Sequence, residues 1–387
     1  MKRSSTPSNS LPVIGLLALA AAGFLTILTE ALPAGLLPDI SAGLGVTESM
    51  AGQLITAYAA GSLAAAIPLT AATRSWRRRP LLLTAVGGFL FANAFTALSD
   101  SYVLTLGARF IAGVFAGLVW ALLAGYAGRM APNHLKGRAI ALAMLGTPLA
   151  LSIGIPAGTM VSGLIGWRAV FLMMSGLSLL LVAWIIWRVP DFEGESAAQR
   201  TPLLKVLQIR GLRPVLVATF GFVLAHNILY TYIVPVLRQA GLVDRTDLVL
   251  LLFGVAALVS IWFVAVWIDS RLMALTMAST GLFLVAGLLL AAFGQVTGMV
   301  LPMIAVWGLA FGGAASLFQT ASARVAGRDT DLAQSMIVTV WNLAIAGGGL
   351  LGGVIVLAGA DVLSWSAAFL LTVTGCVIFL NRRVSFR

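Results

Sequence analysis

Twelve long apolar runs separated by short polar gaps make up most of the chain. They lie at about 12–37, 50–73, 80–99, 101–128, 138–162, 166–188, 213–237, 247–268, 272–293, 297–322, 332–358 and 362–381. The runs are continuous rather than alternating with a period of two, so each reads as a helix and not as a barrel strand. About 20 apolar residues cross the roughly 30 Å hydrocarbon layer, and each run reaches that length. The predicted fold is an all-α integral membrane protein, with twelve transmembrane helices in two six-helix halves. Breakers mark the ends. Pro38-Asp39 is expected to close the first span, and Arg77-Arg78-Arg79-Pro80 separates the second from the third.

Charge turns this pattern into a topology, because basic loops stay cytoplasmic. The chain has 24 Lys and Arg. Most lie at the termini or in the even-numbered gaps: Lys2, Arg3, Arg74, Arg77, Arg78, Arg79, Arg129, Lys136, Arg138, Arg188, Arg200, Lys205, Arg210, Arg213, Arg271, Arg324, Arg328, Arg382, Arg383 and Arg387. Only Arg168, Arg238 and Arg245 fall in odd-numbered gaps, and Arg109 alone sits inside a span. Both termini are therefore expected on the cytoplasmic side of the membrane. Lys2 and Arg3 precede an apolar stretch, as in a signal peptide. Leu11 to Leu37 is longer than the 7–15 residues or so of a signal core, so it reads as a retained first span.

The longest polar stretch, Pro190 to Arg213, falls between spans six and seven. It divides the chain into an N-terminal half at 1–189, a linker at 190–212 and a C-terminal half at 213–387. Equal span counts suggest an internal duplication with a substrate path between the halves, as in many secondary transporters.

Composition closes off other classes. The 387 residues are 60% hydrophobic and 10% charged, whereas a soluble domain carries about a quarter charged residues. The net charge of +11 is spread over short loops with no basic groove, which argues against nucleic acid. The single cysteine, Cys376, excludes a disulfide framework or a cysteine metal site within one chain, and reads as apolar filler. His134 and His226 are too few for a histidine-rich metal site. Lys2, Lys136 and Lys205 do not follow a glycine, so there is no Walker A loop, and no G-x-S-x-G elbow occurs. No enzymatic role and no cofactor are expected.

Glu30 is the only acidic residue well inside a span. Such a carboxylate costs about 2.5–3.5 kcal/mol on insertion scales and is rare without a role. One reading is a group that alternates between charged and neutral by binding a proton. Another is a static ion-pair partner, or a residue close enough to the outer surface to be wet. With the span ending at Leu37, Glu30 would sit about 10 Å below that end. Arg109 lies eight residues into span four, at similar depth because spans one and four run in opposite directions. It should face the bundle interior and find a partner there, as a mobile participant or as a fixed clamp.

Small residues recur at four-residue intervals. Gly113 and Gly117 follow Arg109, Gly154 and Gly158 flank Pro156, and Gly348, Gly349, Gly352 and Gly353 repeat the pattern in span eleven. Such stripes let helices approach closely, while Pro156 removes a backbone hydrogen bond and could make a hinge. A small-molecule cavity needs apolar walls with a few polar anchors. Tyr58, Trp120, His226, Asn227, Tyr230, Trp307 and Asn342 are the mid-span candidates, His226 and Asn227 foremost.

Three motifs carry a family resemblance. Span one reads Thr29-Glu30-Ala31-Leu32-Pro33-Ala34-Gly35-Leu36-Leu37-Pro38, span four has Arg109-x-x-x-Gly113, and span five has Gly146, Gly154, Pro156 and Gly158 before Gly166-Trp167-Arg168. Over essentially its whole length the chain resembles the twelve-span drug:proton antiporter family of the major facilitator superfamily, and looks most like its bacterial sugar and purine-nucleoside efflux branch. The resemblance implies a proton-coupled exporter of a sugar, nucleoside or drug, monomeric in the bilayer, whose two halves rock about a central site. It implies that Glu30 binds the proton, with Arg109 biasing its charge state. The fifth-span motif is the one characteristic of exporters, although here Ile155 separates Gly154 from Pro156. An importer or uniporter of the same fold, or a non-transporting membrane sensor, is the alternative. The loop between spans two and three departs from the family. Arg77-Arg78-Arg79 is present, but Thr73-Arg74 stands where Asp-Arg, part of the cytoplasmic gate, is expected. The corresponding loop of the second half keeps Asp269 and Arg271.

Overall fold

In the computed structural model, residues 11–195 and 201–386 are described, and every regular element among them is helical. Lys2, Arg3, Arg200 and Arg387, part of the basic set above, lie outside the described residues. The helices in chain order are α1 (Val13–Ala31), α2 (Leu37–Leu44), α3 (Glu48–Ala72), α4 (Arg78–Leu98), α5 (Tyr102–Met130), α6 (Lys136–Met144), α7 (Gly146–Leu149), α8 (Ile155–Ile165) and α9 (Trp167–Arg188). They continue with α10 (Leu203–Leu207), α11 (Leu212–Thr231), α12 (Ile233–Gln239), α13 (Thr246–Phe293), α14 (Thr297–Gly312), α15 (Ala314–Ala326), α16 (Thr330–Ile355), α17 (Ala360–Leu380) and α18 (Arg382–Ser385). Two compact units result, Met1–Leu203 with Gln334–Val338, and Leu204–Ala333 with Thr339–Arg387.

Among the described residues, 10 helical stretches are long and apolar enough to cross a bilayer. Eight each cover one predicted span. The Leu248–Phe293 stretch, of 46 residues, covers two. At 1.5 Å per residue it would be about 69 Å long, over twice the hydrocarbon layer. Its helix breaks at Arg271 (φ −134°, ψ 31°), inside the gap predicted there. Thr297–Ala358, of 62 residues, likewise covers two and is interrupted by the turn Gly327–Asp329.

The first span does not stop at Pro38-Asp39. A 3₁₀ turn at Leu32–Leu36 leads into α2, which runs on to a left-handed Gly45 (φ 64°). Pro38 falls in the first turn of α2, where a backbone N–H would have no helical acceptor, so the proline is tolerated. Glu30 consequently sits near the middle of a 32-residue stretch, Val13–Leu44. The depth of about 10 Å expected from the shorter span becomes about 20 Å below Leu44.

The fifth span is also broken. Between α7 and α8 the chain makes a π turn, Ala150–Gly154, immediately before Pro156. Proline offers no N–H to the preceding turn, and a wide turn there is a common consequence.

Glycines set the closest helix approaches. A Cβ at Gly113 on α5 would overlap the Tyr58 carbonyl oxygen of α3, and one at Gly117 would stand 2.7 Å from the Ser62 oxygen. In the second unit, a Cβ at Gly308 on α14 would lie 2.5 Å from the Phe253 oxygen of α13. Gly154 and Gly158 meet the first span instead, 2.8 Å from the Phe24 ring and 2.7 Å from the Leu32 side chain by the same measure. Gly352 of α16 meets the Tyr232 ring at 2.6 Å. Each unit thus brings elements together through small residues, by backbone contact at Gly113, Gly117 and Gly308 and by seating a neighbouring side chain at Gly154, Gly158 and Gly352.

Gly113→Ala should therefore force α3 and α5 apart and cost about 1–3 kcal/mol. Gly87, whose added Cβ would meet nothing within 4 Å, is the control. Unfolding in detergent should show a lowered midpoint for Gly113→Ala and an unchanged or raised one for Gly87→Ala.

Candidate functional site

The α1 helix carries its hydrogen bonds as far as Leu32, whose N–H donates to the Leu28 oxygen. The next bond would run from residue 33 to the Thr29 oxygen. Residue 33 is proline, so that carbonyl has no helical donor. The Arg109 Nη2 of α5 donates to it at 2.6 Å. Arg109 is wholly buried. Its guanidinium carbon lies 5.0 Å from the Tyr58 ring centroid and 5.8 Å from that of Phe171, and aromatic faces attract a cation at such range.

Polar groups from two more helices reach the same turn. The Tyr58 hydroxyl of α3 donates to the Thr26 oxygen at 3.0 Å, and the Asn93 Nδ2 of α4 donates to Thr29 Oγ1 at 3.1 Å. Glu30 is half-buried beside this cluster and interacts electrostatically with Arg109 and Tyr58. No hydrogen bond or ion pair to its carboxylate occurs among the described residues. The static ion pair weighed from the sequence is thus absent among them. Arg109 has its acceptor in the Thr29 carbonyl, and its Nε and Nη1 have no hydrogen-bond partner. The arrangement holds a buried cation in place without engaging the neighbouring carboxylate.

In the second unit His226, Tyr230 and Trp307 come together. The His226 ring stacks on Phe311 at 3.5 Å between centroids, with Tyr230 at 5.0 Å, Trp307 at 5.4 Å and Phe253 at 5.7 Å. His226 Nδ1 and Trp307 Nε1 are buried without a hydrogen-bond partner. Tyr230 is 39% exposed and opens the cluster on one side. Asn227 lies elsewhere: its Nδ2 donates to the Val223 oxygen at 2.8 Å, and its own Cβ is the first atom that a Cβ on Gly348 would strike. Asn342 is half-buried on α16. Tyr58 belongs to the Arg109 cluster, and half-buried Trp120 faces Gly23 of α1, whose added Cβ would lie 3.7 Å from its ring.

The basic loop after α3 is engaged by acids that follow α9. Arg74 Nε pairs with Glu195 at 2.6 Å, and Arg78 lies 3.6 Å from the same carboxylate. Arg77 Nε pairs with Asp191 at 2.5 Å, while the Arg79 backbone N–H donates to Asp191 at 3.0 Å. Partial burial by itself would raise the Asp191 carboxyl. The Arg77 and Arg79 hydrogen bonds and charges outweigh it and hold the group below the ordinary aspartate value. The Arg77 guanidinium is raised, chiefly by its hydrogen bond to Asp191. In the second unit, Asp269 is 3.6 Å from Arg324, and the Arg271 guanidinium lies over the Trp267 ring at 5.5 Å. Sequence reasoning passed over Thr29, Asn93, Phe253, Phe311, Asp191 and Glu195. Three of these have a signal in the sequence: Pro33 four residues after Thr29, and Asp191 and Glu195 as acids in the linker of a chain whose arginine loop lacks its own.

Comparison with known proteins adds to this geometry. A family model described as Major Facilitator Superfamily matches residues 19–349. A protein of Mannheimia succiniciproducens named "Probable sugar efflux transporter" is 27% identical, over 89% of this chain and 87% of its own. The transcription regulatory protein OpdE of Pseudomonas aeruginosa is 28% identical, over 91% and 89%. A chloramphenicol efflux pump of Mycobacterium tuberculosis is 31% identical, over 87% and 84%. Among solved structures, the human organic anion transporter MFSD10 superimposes with a TM-score of 0.77 at 17% identity, over 95% of this chain and 99% of that one.

The Arg109–Thr29 bond predicts a coupling. Arg109→Met strands a buried carbonyl, at a cost of about 1–3 kcal/mol. In a Pro33→Ala background the new N–H at position 33 can take that carbonyl. The double variant should be more stable than the sum of the singles by about 1 kcal/mol in an unfolding cycle. Additive single effects would mean that Arg109 does not compensate for Pro33.

Proposed function

Since the chain belongs to the major facilitator superfamily, and is a multi-pass membrane transporter rather than an enzyme, we propose that it exports a small organic molecule in exchange for protons. Glu30 is the proton-binding group. The observation that carries this reading is the Glu30 carboxylate at mid-depth, next to a buried cation whose bond goes to a backbone carbonyl. A carboxylate tied up in an ion pair would resist protonation. One left unpaired beside a fixed positive charge can alternate between its two states as its surroundings change.

Arg109 then biases the charge state of Glu30 and keeps the cost of the anion bounded. A membrane potential of 100 mV supplies about 2.3 kcal/mol per charge moved, enough for tens-fold accumulation against a gradient. The protein resides in the bacterial cytoplasmic membrane, with its basic loops and both termini inside. Sugar, nucleoside and amphenicol-type drug are the substrate classes in view, the first and last supported by the names of the efflux relatives. The aromatic cluster around His226 favours a ligand with a flat apolar face.

A second reading, a membrane sensor that does not transport, is favoured by the name of the Pseudomonas aeruginosa relative. Export in a host lacking its own pumps separates the two, with chloramphenicol, inosine and galactosides as probes. The parent should lower accumulation of at least one probe under a proton gradient. Glu30→Gln should insert and fold, yet lose proton-driven export by about tenfold or more. Equal export by parent and variant would remove Glu30 from the mechanism. No probe-dependent proton movement in proteoliposomes would favour the sensor.

A further inference from the structure

The segment after α9 is bound to the loop between α3 and α4 by backbone as well as side chains. The Glu195 N–H donates to the Arg74 oxygen at 2.8 Å, and the Arg78 N–H donates to the Phe192 oxygen at 2.9 Å. Phe192 packs edge-on against Tyr126 of α5 at 5.5 Å, and the Tyr126 hydroxyl donates to the Pro190 oxygen at 2.7 Å. Arg74 also donates to the Thr201 oxygen, so the chain meets it again beyond Glu195. Arg74 and Arg78 are 5% and 1% exposed. Two arginines buried to that degree require an anion, and the loop itself offers none, with Thr73 where an acid would stand.

We infer that Asp191 and Glu195 are positioning residues for this loop, supplying from the segment between the two halves the negative charge that the loop lacks. Glu195 neutralises the two buried guanidiniums, and Asp191 holds the exposed Arg77 and the first turn of α4. The loop, which closes on itself through the Trp76 N–H to the Thr73 oxygen at 2.9 Å, is then held also by a segment about 120 residues further along the chain. Thr201, to whose oxygen Arg74 also donates, lies two residues before α10. A displacement of the chain there reaches the α3–α4 loop through these bonds, giving the basic loop a mechanical input that a self-contained loop would not have.

Thiol accessibility tests this without reference to any substrate, so it stands or falls apart from the transport reading. In the full-length protein with Cys376→Ser, Thr73→Cys puts a thiol at a position only 6% exposed, beside Arg74. A membrane-impermeant maleimide applied to inside-out vesicles should label it slowly. Adding Glu195→Gln should raise the rate about tenfold or more, the equivalent of roughly 1.4 kcal/mol. Glu195→Asp should stay near the starting rate. Arg74→Glu alone should label fast, and Arg74→Glu with Glu195→Arg should return most of the protection. Asp191→Asn, which weakens the Arg77 pair and the hold on the Arg79 N–H at the start of α4, is the second variant should a Glu195 change fail to reach the membrane, and it should also speed labelling. Unchanged labelling in Glu195→Gln and Asp191→Asn, or a charge swap no better protected than Arg74→Glu alone, would overturn the inference.

Discussion

The hydrogen bond from Arg109 to the Thr29 carbonyl is the contact around which the first unit is arranged. It exists because Pro33 withholds the N–H that would otherwise close that turn of α1. A stranded backbone carbonyl in hydrocarbon and an unpaired guanidinium are each costly, and each is relieved by the other. Reaching that arrangement requires α3 and α5 to touch, which Gly113 and Gly117 permit, and it brings the Tyr58 ring onto the cation. Gly154 and Gly158 seat the fifth span against the same stretch of α1. The result leaves Glu30 beside a fixed charge with nothing bonded to it among the described residues, the state a proton carrier needs.

Charge elsewhere is handled by a different rule. Outside the spans, basic side chains carry the topology, and several of them are met by acids from distant parts of the sequence. Glu195 and Asp191 serve the first unit, and Asp269 meets Arg324 in the second. The two units resemble each other in how glycine lets their helices meet, yet differ in chemistry. The first collects polar groups about a carboxylate. The second collects aromatic rings about His226, with His226 Nδ1 and Trp307 Nε1 buried without a hydrogen-bond partner. The proposed mechanism accordingly places the proton in the first unit and ligand contact in the second.

Much of this is legible in the sequence. Apolar run length and the placement of arginine suffice for an all-helical membrane fold, because the bilayer leaves so few alternatives. Glu30 and Arg109 stand out as charges with no topological reason to be where they are. What was not legible has local causes. Pro38 looked like a stop, but a proline in the first turn of a helix costs nothing, so the first span runs on to Leu44 and Glu30 lies deeper. Spacing along α1 and α5 gave similar depths for Glu30 and Arg109, but not that the arginine would choose a carbonyl over the carboxylate. That choice depends on which atom lacks a partner. The substitution of Asp191 and Glu195 for a missing loop acid depends on a contact across about 120 residues, which no periodicity reports.

A distance measurement in the membrane would test the arrangement at its centre. With ¹⁵N-labelled arginine and ¹³C placed at the Thr29 carbonyl or the Glu30 carboxyl, rotational-echo solid-state NMR can rank the two separations from the Arg109 guanidinium. Because Nη2 lies 2.6 Å from the Thr29 oxygen, strong dephasing should come from the Thr29 carbonyl and weaker dephasing from the Glu30 carboxyl. The reverse order, with the guanidinium seated on the carboxylate and the Thr29 carbonyl unengaged, would contradict the account.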